Sequence, residues 1–220
     1  RSAHAVRRRP PARHPIFASW IYPRVLAAAE RHGASEHRKE LLAGLSGRVI
    51  EVGAGTGVNF PHYPTSVVEV VATEPESYLR SEAIRAAPTA TARVRVVDAV
   101  AEALPMESAS FDAAVTSLVL CSVGDPARAL AELFRVVRPG GQLRFYEHVR
   151  GSSHGLARLQ QVVDATFWPL VAGGCHTGRH TRAAIEQAGF AIEGCREFMF
   201  RPCALSAPAA PHVIGRARRP

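Results

Sequence analysis

The sequence predicts a single α/β domain built on a doubly wound, mostly parallel sheet of seven strands with helices on both faces. Three observations predict it. Short β-branched runs alternate with Ala-, Leu-, Glu- and Arg-rich stretches from about residue 47 to the end, and such alternation builds βαβ units with right-handed crossovers. The first of these runs empties into a glycine-rich turn, Gly53-Ala54-Gly55-Thr56-Gly57, at the place where an open parallel sheet takes its ligand. With 220 residues, 47% hydrophobic and 21% charged, the chain can bury roughly 70% of its extended surface. Fibrous and wholly disordered classes are excluded.

Residues 15–46 read as two helices ahead of the sheet, a helical cap, and 47–220 as the core of the same domain. Strands are expected at 48–52 (Arg-Val-Ile-Glu-Val), 67–73, 93–98, 112–117, 142–149, 190–200 and 212–217, each a short run containing Val, Ile, Thr or Phe. Helices fall between them at 76–87, 126–138, 155–166 and 178–188, where Ala, Leu, Glu, Gln and Arg dominate. No helix separates the last two strands, so they should form an antiparallel pair at the sheet edge. No internal repeat and no long linker divides the chain.

The formal net charge of +8 is concentrated at the ends. Residues 1–24 carry six Arg and no acid, and 198–220 carry four Arg and no acid, leaving 17 basic against 19 acidic residues between them. Residues 1–14 are therefore expected to be a basic flexible tail, able to touch an anionic surface weakly. The ends lack the aromatic interleaving of a base-stacking surface, so no specific nucleic-acid partner is expected. No segment approaches the roughly 20 apolar residues of a membrane span. Cys121, Cys175, Cys195 and Cys203 make no Cys-x-x-Cys pair, which suits a reducing, cytoplasmic setting. Cys175, His176, His180 and Cys195 match no common zinc spacing, and no metal is expected. Heavy use of Ala and Arg, with Lys39 the sole lysine, suggests GC-rich bacterial coding.

Glu51-Val52-Gly53-Ala54-Gly55-Thr56-Gly57 follows an apolar strand directly. Glycines there tolerate positive φ and let the backbone approach a ligand closely. A dinucleotide fingerprint would read Gly-x-Gly-x-x-Gly, with its third glycine stepping onto the helix beneath a pyrophosphate. The spacing here is Gly-x-Gly-x-Gly with an acid two residues ahead, which argues against a pyrophosphate ligand. A second strand, Val70-Val71-Ala72-Thr73, ends in Glu74-Pro75, and an acid at that place can accept hydrogen bonds from both hydroxyls of a ribose.

These segments, followed in order by Ala101-Glu102-Ala103-Leu104-Pro105, Ser110-Phe111-Asp112-Ala113-Ala114-Val115 and Val136-Val137-Arg138-Pro139-Gly140-Gly141, resemble the class I S-adenosylmethionine-dependent methyltransferases and their Rossmann-like fold. The resemblance implies that Gly53, Ala54, Gly55 and Gly57 pass close to the methionine part of the cofactor. It also implies that Glu51 faces the cofactor's amino group and Glu74 holds the ribose hydroxyls. Ala101 and Glu102 would border the adenine, and Ser117 and Leu118 would lie beneath the reacting sulfonium. Asn59, Pro75 and Tyr22 join this cofactor-binding set. Many relatives carry an acid immediately before the Ala-Glu segment; here Val100 stands there and the nearest acid is Asp98. Ser117 to Val123, Glu147-His148-Val149, Gly174 to Arg179 and Pro211 to Gly215 further resemble the branch that includes the mammalian alkyl-thiol methyltransferases.

Methyl transfer from a sulfonium asks a protein to hold nucleophile, methyl and sulfur in line and to exclude water. A phenol or amine acceptor needs a base, whereas a thiol with a pKa near 8.5 already offers some thiolate. His148, at the end of the fifth strand, and His176, in the Gly-Cys-His turn, are the candidate catalytic residues, while His212 reads as structural. Cys121, His148, Trp168 and His176 are the candidate acceptor-side residues. Trp20, Tyr22, Phe167 and Trp168 lie in segments expected to cap the cleft, where aromatic rings suit an apolar acceptor and attract a sulfonium. The function implied is a small-molecule methyltransferase that uses S-adenosylmethionine and releases S-adenosylhomocysteine, with a thiol or other soft nucleophile favoured. The alternatives are O-, N- or C-methylation of a lipid amine, quinone or aromatic natural product, and a non-catalytic cofactor-binding regulator.

Overall fold

The computed structural model describes residues 17–220, so the basic tail expected at 1–14 lies outside the described residues. Seven strands follow one another as β1 (Gly47–Val52), β2 (Val67–Thr73), β3 (Arg93–Val97), β4 (Phe111–Ser117), β5 (Val137–His148), β6 (Ala191–Met199) and β7 (Pro211–Arg218). They form one sheet in the order β3-β2-β1-β4-β5-β7-β6. The first five are parallel, and β7 runs antiparallel to both β5 and β6. The expected antiparallel pair is thus present, with the last strand inserted inside the sheet and β6 left at the edge.

Among the described residues seven α-helices accompany the sheet: α1 (Tyr22–Arg31), α2 (Ala34–Leu42), α3 (Ser77–Ala86), α4 (Pro126–Val136), α5 (His154–Ala165), α6 (Trp168–Val171) and α7 (Thr181–Gln187). A short π-helical turn, Phe17–Ile21, leads into α1. Side chains i and i+1 of a strand point to opposite faces, and β1 shows the result. Val49 packs with Leu41, Leu42 and Ala83 from α2 and α3, whereas Ile50 packs with Leu130, Leu133 and Ile185 from α4 and α7. Side-chain caps set three helix starts: Glu76 accepts from Leu79 N, Asp125 from Arg128 N and Ser153 from Leu156 N.

One strand boundary departs from the expected elements, and the C-terminal arginines are anchored within the fold. β5 begins at Val137, five residues early, because the Pro139-Gly140-Gly141 segment that reads as a turn is a bulge: Val137 pairs with Phe111 and Gln142 already with Ala113. The basic C-terminal stretch is no loose tail. Arg216 and Arg218 in β7 pair with Glu193, and the Arg219 guanidinium donates to the Phe134 carbonyl.

Candidate active site

Strand register brings the acidic and glycine-rich segments to one level. Val52 sits beside Thr73 of β2 and Thr116 of β4, so Gly53, Glu74 and Ser117 all leave the carboxyl edge of the sheet together. Gly55 has φ 57°, and a Cβ there would lie 2.6 Å from the Tyr22 hydroxyl. Gly53 has φ 67°, and its Cβ would lie 2.6 Å from Val119. The loop therefore packs on the turn after β4 on one side and meets Tyr22 of α1 on the other, a cradle that side chains would fill.

Three carboxylates line this edge with exposures of 1% (Glu51), 6% (Glu74) and 0% (Glu147). Glu51 accepts from Asn59 Nδ2 and Tyr63 OH, both at 2.8 Å. Burial pushes it up to about 7 against the pull of those two hydrogen bonds. Glu74 accepts from the backbone N–H groups of Gly55 and Glu76, both at 2.9 Å. Burial likewise pushes it up to about 7. A desolvated acid with lone pairs to spare, beside backbone exposed by glycines, fits a ligand that brings hydroxyl and ammonium donors. Burial also pushes the Tyr22 phenol up.

The turn after β4 is strained and clamped. Leu118 adopts φ 60°, a left-handed conformation costing about 1–3 kcal/mol in a non-glycine residue. Its N–H donates to Tyr146 O at 2.7 Å. The Glu147 carboxylate accepts from the N–H groups of Val119 (3.1 Å) and Cys121 (3.2 Å), and burial raises its affinity for a proton. From the other side the Arg179 guanidinium donates to Leu120 O (2.6 Å) and Val123 O (2.8 Å).

Beside this turn, at the end of β5, His148 Nδ1 lies 3.3 Å from Cys175 Sγ, with Cys121 Sγ close to both. Burial pushes the His148 ring down, but the neighbouring Cys175 sulfur and Glu147 carboxylate more than reverse it, so it is raised. The segment bearing Cys175 is fastened by α5. Gln160, wholly buried, accepts from Gly151 N and donates to the carbonyls of Val149 and Thr177, while Asp164 accepts from Thr177 N and Gly178 N.

Gly53, Ala54, Gly55, Gly57, Glu51, Asn59, Glu74, Ser117 and Leu118 lie together along this edge. Pro75 is exposed next to Glu74. Ala101 is buried, whereas the Glu102 carboxylate is turned to the N–H groups of Gly124 and Asp125 ahead of α4. Asp98 pairs with Arg80 at 3.0 Å. His176 stands apart from the sulfur cluster: its Nδ1 lies 2.9 Å from Gly174 O and 3.2 Å from the Arg179 guanidinium. Trp168 is partly buried, but Trp20 and Phe167 are more than half exposed. His212 is buried against His148 and Tyr146 and pushed down to about 3 by burial, as befits a structural ring. Sequence reasoning missed Glu147 and Arg179 as the parts that fix the turn, and Gln160 as the part that fastens the Cys175 segment. Glu147 carried a signal, an acid at the carboxyl end of a strand, as Glu51 and Glu74 are. An open groove of about 340 Å³ is lined by Leu120, Pro126, Leu130, Arg179, Thr181 and Gln187 and lies away from the glycine loop.

A family described as "Methyltransferase domain" matches residues 50–145. The chain is 36% identical over 183 residues to the thiol S-methyltransferase TMT1B of Rattus norvegicus, covering 80% of this chain and 73% of that protein. Human thiol S-methyltransferase TMT1A is 35% identical over 177 residues, covering 77% and 70%. A solved S-adenosylmethionine-dependent methyltransferase from Thermotoga maritima superposes with a TM-score of 0.70 at 24% identity, covering 94% of this chain and 100% of that one, a likeness of fold. The chain therefore belongs to the class I S-adenosylmethionine-dependent methyltransferases, related to the branch of the thiol S-methyltransferases.

Proposed function

We propose that this enzyme methylates a small soft nucleophile, an alkyl thiol first, from S-adenosylmethionine. The observation that carries the thiol is the similarity to thiol S-methyltransferases across 80% of the chain. A match of that length must reach beyond residues 50–145 and take in Cys121, His148 and Cys175, the acceptor side of the edge. In this reading the backbone of Gly53 to Gly57 cradles the methionine part, Glu51 and Asn59 face its amino group, and Glu74 accepts from the ribose hydroxyls. Ala101 and Glu102 border the adenine, Pro75 flanks the ribose, and Ser117 and Leu118 support the reacting centre. The cofactor supplies a methyl group on a sulfonium whose leaving group is a neutral thioether.

What remains for the chain is alignment and exclusion of water, a proximity contribution of up to about 7–11 kcal/mol. The Leu118 turn, fixed by Glu147 and Arg179, sets the floor; Tyr22 and Trp168 close the roof. His148 orients the acceptor and takes its proton where one must leave, Cys121 forms the wall, and His176 holds the loop that carries Cys175. A thiol needs little help from a base. One domain from residue 15 to 220 and a reducing, cytoplasmic setting belong to the same reading. No helix among the described residues is long and apolar enough to cross a membrane. Incubation with methyl-labelled S-adenosylmethionine and an equimolar mixture of an alkyl thiol, a phenol and a primary amine should place the label on sulfur. Label confined to the phenol or amine would overturn the thiol reading and favour an O- or N-methyltransferase.

A further inference from the structure

Cys121, His148 and Cys175 come from three separate segments, yet their ligand atoms all lie within 4.8 Å of one another, and His148 Nδ1 and Cys175 Sγ are 3.3 Å apart. Around a tetrahedral zinc ion, with sulfur at about 2.3 Å and imidazole nitrogen at about 2.0 Å, neighbouring ligand atoms stand about 3.5–3.8 Å apart. The three atoms need shift little to meet that spacing. Their backbones are already fixed. Cys121 N donates to Glu147 and Cys121 O accepts from His176 N at 2.7 Å, Cys175 N donates to Ala172 O, and the His148 ring packs edge-on to His212 at 4.6 Å.

The donor set is soft. Two thiolates and an imidazole suit zinc, whereas hard cations prefer oxygen. Cys121 and Cys175 are 0% and 5% exposed, which keeps a hydrated competitor such as magnesium out. Three protein ligands leave a fourth position open, the mark of a zinc site that works on a substrate. The buried indole N–H of Trp168 borders the Cys175 sulfur, a donor suited to a thiolate.

The geometry points to a Zn²⁺ site formed by Cys121, His148 and Cys175 whose fourth ligand is the acceptor thiol, bound as thiolate; the identity of that fourth ligand rests on the thiol reading above. Zinc strips the proton from a coordinated thiol and the proton passes to water, so for a thiol His148 serves as ligand and not as base. The sulfur lone pair forms the new bond to the methyl carbon, and the electron pair of the broken carbon–sulfur bond stays with S-adenosylhomocysteine. The neutral thioether is a poor zinc ligand and departs.

The test is titration of chelator-treated full-length protein with Co²⁺ as a spectroscopic substitute for zinc. One equivalent should give thiolate-to-cobalt charge-transfer and tetrahedral ligand-field absorption, and added alkyl thiol should shift the ligand-field bands. Cys121→Ser and Cys175→Ser should each weaken cobalt binding by more than ~100-fold, whereas Cys203→Ser, at an exposed free cysteine, should leave the spectrum intact. Retained binding of S-adenosylhomocysteine shows that a variant has kept its fold. Absence of a tetrahedral spectrum, or its survival in the Cys121→Ser/Cys175→Ser double variant, overturns the site. Full-rate thiol methylation by metal-free protein overturns the zinc step while leaving the thiol reading standing. A Cys121–Cys175 disulfide forming in place of cobalt binding overturns it in favour of a redox pair.

Discussion

Glu74→Gln removes one charge from the cofactor edge with almost no change of shape. The wild-type carboxylate satisfies two buried backbone donors, Gly55 N–H and Glu76 N–H, each at 2.9 Å. An amide has one oxygen, so one donor is orphaned at a cost of about 1–3 kcal/mol. In a chain of this size that lowers the melting temperature by roughly 2–12 °C. Hydrogen bonds from ribose hydroxyls to a charged acceptor are worth about 1.5–3 kcal/mol, so affinity for S-adenosylhomocysteine should fall roughly 10–150-fold by calorimetric titration at pH 8. The pH dependence separates the two effects. Burial places the Glu74 carboxyl at about 7, and hydroxyl donors prefer its ionised form. Wild-type affinity should therefore fall as pH drops from 8 to 6, and the part due to Glu74 should vanish in the variant. Affinity within two-fold of wild type at pH 8, in a folded Glu74→Gln protein, would refute the ribose assignment.

Glu147→Gln leaves one acceptor for the Val119 and Cys121 N–H groups, so the Leu118 turn should loosen; kcat should fall at least ~10-fold with little change in cofactor affinity, and equal loss of both would point to general misfolding. Gln160→Leu strands Gly151 N–H and the Val149 and Thr177 carbonyls, and urea unfolding should show a loss of roughly 2–5 kcal/mol. Glu51 is held near 7 in the folded chain against 4.5 when exposed. Its stabilising contribution is complete below about pH 4.5 and is lost as pH rises through 7, on the order of 3 kcal/mol. Unfolding of the cofactor-free protein at pH 5 and pH 8 should show that decline, and Glu51→Gln should flatten part of it; an unchanged slope would contradict the buried-acid picture.

Local patterns made most of the sheet and the cofactor edge legible. Gly53 to Gly57 follows its strand without a break, and Glu74 ends the next strand, so both could be read within a few residues of sequence. Nothing local marks Arg179, whose carbonyl partners lie 56 and 59 positions away, or Gln160, which reads as one polar residue of a helix until folding brings backbone groups from three segments around it. His176 drew attention as part of a Gly-Cys-His turn, but its ring is taken by Gly174 and Arg179 in its own loop, and the neighbouring Cys175 is the residue that faces His148. Glu102 shows the same limit: the motif is local, but its sequence gives no sign that its carboxylate also holds the N–H groups of Gly124 and Asp125 ahead of α4. The bulge at Pro139-Gly140-Gly141 was hidden because proline and glycine signal a turn whether or not the chain resumes pairing.

A crystal structure of the full chain with S-adenosylhomocysteine tests the cofactor assignment most directly. The ribose hydroxyls should lie within hydrogen-bond distance of Glu74, the homocysteine part along Gly53 to Gly57, and the sulfur above the Leu118 turn, with the Tyr22 hydroxyl moved off Gly55. A ligand seated instead in the groove between α4 and α7, with Glu74 still paired only to Gly55 and Glu76, would contradict it.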